Sequence, residues 1–134
     1  MNMKISEFIK MNEENNAKLK IKKYKEFIEV LENYDNWIEI TKLNTYKYRF
    51  KLMHPAWYKI KSACNEIIDT CNQCHFRYFS VLIEDRDIVF FDFNKTCDKV
   101  RERNDDVDKL FELVTECLNE KIEELETKYN IEKE

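Results

Sequence analysis

Not one of the 134 residues is glycine. Average usage of roughly 7% would supply about nine, so the gap constrains what the backbone can do. Glycine is the default residue wherever the chain takes a positive φ or presses close to a ligand. Phosphate-cradling loops, dinucleotide fingerprints, nucleophile elbows and calcium loops all depend on it. None of them is present here in standard form, which removes most of the chemistry usually legible in a sequence. Asn, Lys, Ile, Tyr, Phe and Glu dominate while Gly, Pro and Ala are scarce, a bias expected of a strongly AT-rich genome.

A content of 43% hydrophobic and 13% aromatic residues fills a real core, so residues 1–134 are expected to form a single domain rather than a disordered chain. No apolar run approaches the roughly 18 to 20 residues of a membrane span. Met1 to Lys10 carries no apolar stretch long enough for a signal peptide. These features predict a soluble cytoplasmic protein with no membrane partner. The five cysteines, an odd number, then point to reduced thiols rather than a disulfide framework.

Hydrophobic spacing sets out the elements. After an apolar lead-in of Ile5, Phe8 and Ile9, the positions Tyr24, Phe27, Ile28, Leu31 and Tyr34 predict an amphipathic helix from about Asn15 to Tyr34. Asn33 to Asn36 reads as a break, Trp37 to Lys42 as a strand, and Asn44-Thr45 as a turn. Tyr46, Tyr48, Phe50 and Leu52 alternate with Lys47, Arg49 and Lys51, the clearest strand in the chain, aromatic on one face and basic on the other. Pro55 suits the first turn of a second helix running to about Asn72. Phe76 to Ile83 and Ile88 to Phe93 form a hairpin across Glu84-Asp85-Arg86-Asp87, with Asn94 as a cap for helix extending to about Tyr129. The order helix, hairpin, helix, hairpin, helix predicts an α+β fold, a four-stranded and mainly antiparallel sheet covered on one face by helices.

A continuous C-terminal helix over residues 95–129 would be about 50 Å long at ~1.5 Å per residue, too long for a domain of this size to cover. It either breaks at Asn104-Asp105, where Asn104 suits an N-cap, or extends and pairs with a second copy with Asn104 as a polar seam residue. Cap chemistry favours the break. The expected state is accordingly a monomer, or a homodimer through this helix.

Cys71-Asn72-Gln73-Cys74-His75 matches c-type haem attachment, and Cys71, Cys74, His75 and Cys97 could supply four zinc ligands. Against both, Cys64, Cys71 and Cys74 share one helical stripe with Trp57, Ile60 and Ile67, where thiols act as small core residues. Core packing is the favoured reading, with no metal and no cofactor. His54 and His75 are the only side chains with an unperturbed pKa near neutrality, and nothing in the spacing pairs either with a nucleophile.

Charge is more informative than these motifs. The net −4 conceals a basic segment, Thr41 to Ala63, with six bases and no acid. From Glu102 to Glu134 there are twelve acids against five bases. Lys47, Arg49, Lys51, Lys59 and Lys61 are candidate phosphate-contacting residues of a nucleic-acid-binding regulator. Asp105, Asp106, Asp108, Glu112, Glu116, Glu120, Glu123 and Glu124 are candidates to occupy a basic groove on a protein partner. The second reading is favoured: a small non-enzymatic protein-binding module, an inhibitor or modulator of phage, viral or mobile-element type acting in a host cytosol. Both depend on whether the acidic helix folds back over the basic sheet and neutralises it.

Overall fold

The structure is a computed structural model that describes residues 4–44, 47–53, 56–72, 76–85 and 88–132, with the side chains of 56–60 and 72 outside the description. His54, Pro55, Gln73, Cys74 and His75 therefore lie outside the described residues, as do Thr45 and Tyr46. The elements are α1 (Ile5–Glu32), α2 (Tyr34–Trp37), β1 (Ile38–Asn44), β2 (Lys47–Leu52), α3 (Ala56–Asn72), β3 (Phe79–Glu84), β4 (Ile88–Phe93), α4 (Asp98–Arg101) and α5 (Val107–Tyr129). The protein is α+β, with four antiparallel strands in the order β1-β2-β4-β3. Two hairpins lie side by side and meet along β2 and β4, which register Tyr48 against Phe91 and Phe50 against Val89.

Alternation along β2 sorts its two faces. Tyr48, Phe50 and Leu52 are buried, Lys47 and Arg49 half-buried, and Lys51 exposed. On the buried side α1 packs against both α3 and α5, and α3 packs against β3. The centre of the core is aromatic. Phe91 is fully buried, and its ring meets those of Phe50 at 4.6 Å, Phe111 at 5.5 Å, Phe27 at 5.9 Å and Phe79 at 6.0 Å between centroids. These rings come from β2, α5, α1 and β3, so one side chain joins sheet to helices. All four pairs are tilted, with interplanar angles between 32° and 49°, and such ring contacts add to the area they bury. Among the described residues, no helix is long and apolar enough to cross a membrane.

Four local expectations are corrected. The lead-in before Asn15 is helical from Ile5 onward, although Ile5, Phe8 and Ile9 are all exposed. Their helical state comes from continuity with the turns behind them, since propagation costs far less than nucleation. Residues 34–37 form one helical turn before β1 rather than a break and strand start. β3 begins at Phe79 rather than Phe76. Asn94 does not cap a helix; its side-chain carbonyl accepts from the Thr96 amide and hydroxyl, closing a local turn, and helix resumes only at Asp98.

The C-terminal segment breaks, as cap chemistry favours, but at a different residue. Asp106 is the N-cap of α5, its carboxylate accepting from the Asp108 amide at 3.0 Å. Asn104 lies in the connection, where its backbone carbonyl accepts from the Tyr48 hydroxyl at 2.7 Å and from Lys42 Nζ at 3.3 Å. This docking of the connection onto the sheet removes the continuous helix on which an Asn104 seam between two copies depended.

Candidate functional site: an acidic helix and a balanced sheet face

The two charged surfaces fall on opposite sides of the molecule. α5 belongs to the helical layer, and its apolar residues Leu110, Phe111, Val114, Leu118 and Ile122 turn into the core. The 3.6-residue period then directs Asp108, Glu112, Glu116, Glu120, Glu123 and Glu124 outward, and all six are exposed. They run for about 24 Å along the helix at ~1.5 Å per residue, with Lys109 interspersed. Glu112, Glu116 and Glu120 form no ion pair among the described residues. Glu124 pairs with Lys121 at 3.2 Å. At the N-terminal end Asp105 reaches Lys42 at 3.8 Å, and Asp108 accepts a short hydrogen bond from the Tyr34 hydroxyl. That bond pushes the Tyr34 phenol up to about 12, because ionisation would forfeit the donated proton and set two negative charges together.

The bases of β2 occupy the sheet face turned away from the helices. Strand register decides what they meet. Lys47 stands opposite Asp92 on β4, and Lys51 stands opposite Glu39 on β1. Arg49 pairs with Glu84 of β3 at 3.1 Å and lies over the Phe90 ring, 4.0 Å from its centroid. Lys47 reaches the same ring at 5.3 Å. Arg49 is thus paired with an acid, while Lys47 and Lys51 each stand in register with one without an ion pair among the described residues, and the nearby acids reduce the far field of the strand. Lys61 lies exposed on α3, in the helical layer, so it does not extend this face. The side chain of Lys59 is outside the described residues.

Phe90 is the residue the alternation of β2 could not reveal. It belongs to the outward-facing set of β4, yet Arg49 and Lys47 cover it to 6% exposure. The signal for it in the sequence is the unbroken apolar run Ile88 to Phe91, the pattern of a strand covered on both faces. Glu126 is a second surprise, a carboxylate on the last turns of α5 that is only 8% exposed and lines a groove between α1 and α5 that carries both lysines and acids of α1.

Cysteine placement follows the helical stripe in part. Cys64 is fully buried and its thiol is pushed up to about 12 by burial; Cys71 is half-buried and also raised by burial. Cys71 Sγ approaches the Phe79 carbonyl, and Cys97 Sγ approaches the Arg77 carbonyl. Among the described residues no three His, Cys, Asp or Glu side chains converge on a common point. No protein family, curated protein or solved structure matches this chain.

Proposed function

We propose that the protein is a small non-enzymatic binding module that modulates a protein partner through the exposed acidic side of α5. The observation that supports this reading is the run of acids on α5: Glu112, Glu116 and Glu120 are exposed and without ion pairs among the described residues, whereas on the sheet face Arg49 is paired with Glu84, and Lys47 and Lys51 stand in register with Asp92 and Glu39. A row of unmatched carboxylates on a rigid helix steers a basic surface and sets its register. A target groove that otherwise holds nucleic-acid phosphates has the matching chemistry. The compositional bias fits a phage, viral or mobile-element protein acting on a factor in the host cytosol.

The test is affinity capture from host lysate, in nuclease-treated and untreated halves, with the wild type and with the triple variant Glu112→Lys, Glu116→Lys, Glu120→Lys. The expected result is a stoichiometric protein that survives nuclease and is lost on charge reversal. Capture unaffected by the reversal, or bound material that disappears with nuclease, overturns it. In the latter case the sheet face and the nucleic-acid reading take its place.

A further inference from the structure

A second charged feature appears only when three chain segments are brought together at one end of the sheet. Lys47 opens β2, Arg77 precedes β3, and Lys95 follows β4; all three line one open cavity of about 850 Å³. That volume lies within the roughly 300 to 1,000 Å³ of small-molecule sites. Asp92 is the one acid among its described lining residues. None of the three cations makes an ion pair among the described residues.

The frame that holds them is well tied. Asn94 donates its backbone amide to the Tyr78 carbonyl at 2.8 Å and its side-chain amide to the Arg77 carbonyl at 3.4 Å. Its side-chain oxygen closes the turn onto Thr96. The segments carrying Arg77 and Lys95 are thereby fastened to each other on either side of the opening. Across the strands, Lys47 faces Asp92 and Asp92 faces Ser80. Phe76, half-buried at the edge of the core, lines the cavity with its ring stacked on Phe79 at 4.9 Å and edge-on to Tyr24 at 6.5 Å between centroids.

We infer that this cavity binds a small phosphate monoester carrying a flat ring, of mononucleotide size. Three cations from separate segments can surround a dianionic phosphoryl group, while Phe76 takes an aromatic base and Ser80 offers a hydroxyl. A chain without glycine has no glycine-rich phosphate loop, and side-chain cations take that role here. The inference is independent of the acidic face of α5.

The experiment titrates the full chain with adenosine 5′-monophosphate, inorganic phosphate, adenosine and a single-stranded decanucleotide, following amide shifts at Ser80, Asp92 and Lys95. The monophosphate should saturate one site and bind more tightly than phosphate or adenosine alone. Arg77→Gln and Lys95→Gln should each weaken it about tenfold, the loss of one charge-assisted contact. Asp92→Asn should tighten it a few-fold by removing like charge. Lys51→Gln, at the far end of β2, should leave it unchanged. Arg77, Lys95 and Asp92 are exposed, and an unchanged thermal midpoint verifies that each variant folds. Absence of monophosphate binding, binding that survives both cation variants, or tighter binding of the decanucleotide than of the mononucleotide overturns the inference.

Discussion

Phe91 is the side chain on which the packing most depends. It is fully buried and meets aromatic rings from α1, α5 and both neighbouring strands. Phe91→Ala should therefore cost about 3 to 5 kcal/mol, read from the shift in denaturant midpoint at unchanged slope. Cys64 makes a different kind of prediction. Burial pushes its thiol up to about 12 from 9.0, so the folded state holds a proton that the unfolded state releases above pH 9. The unfolded chain then binds fewer protons, and stability falls as pH rises between about 9 and 12, by about 1 kcal/mol per pH unit from this group. Cys64→Ala should remove that component of the slope in alkaline unfolding curves, and an unchanged slope would contradict it. Positive φ appears at Asp85 and Asn130, the residue types that tolerate the left-handed region best after glycine. Asn130 ends α5 there, its backbone amide returning to the helix as glycine usually does.

Among the elements, α5 is the one whose boundary and outward face bear on function together. Its start rests on the Asp106 carboxylate and the Asp108 amide, so Asp106→Ala should cost about 1 kcal/mol. Asn104→Ala should cost less, because Asn104 contributes its backbone carbonyl rather than its side chain. Thermal unfolding of the two variants side by side checks this, and the reverse order would restore Asn104 as the cap. The spacing of Val107, Phe111, Val114, Leu118, Ile122 and Leu125 predicts which side of the helix turns inward, and with it which acids turn outward. It does not distinguish Asn104 from Asp106 as the cap, since both are good capping residues two positions apart and only the path of the connection over Tyr48 selects between them. The length of α1 escapes the sequence for a different reason: Ile5, Phe8 and Ile9 do follow helical spacing, but the polar run Asn12 to Asn16 interrupts the apolar stripe before it reaches the core at Ala17.

At the scale of the whole molecule, the decisive fact is which charges become neighbours. The α+β class, the two hairpins and the inward face of β2 are local properties, carried by repeats of two and 3.6 residues, and they are legible in the chain. The sequence alone also excluded the glycine-dependent backbone cradles that motifs record, because the chain has no glycine. Tertiary structure decided the rest. Whether Lys47 stands opposite Asp92, Arg49 pairs with Glu84, or Arg77 and Lys95 share a cavity depends on strand order and register, which bring together residues far apart in the chain. A segment's net charge is a sum along the sequence, whereas the field a partner meets depends on distances in space, and only the folded chain sets those distances.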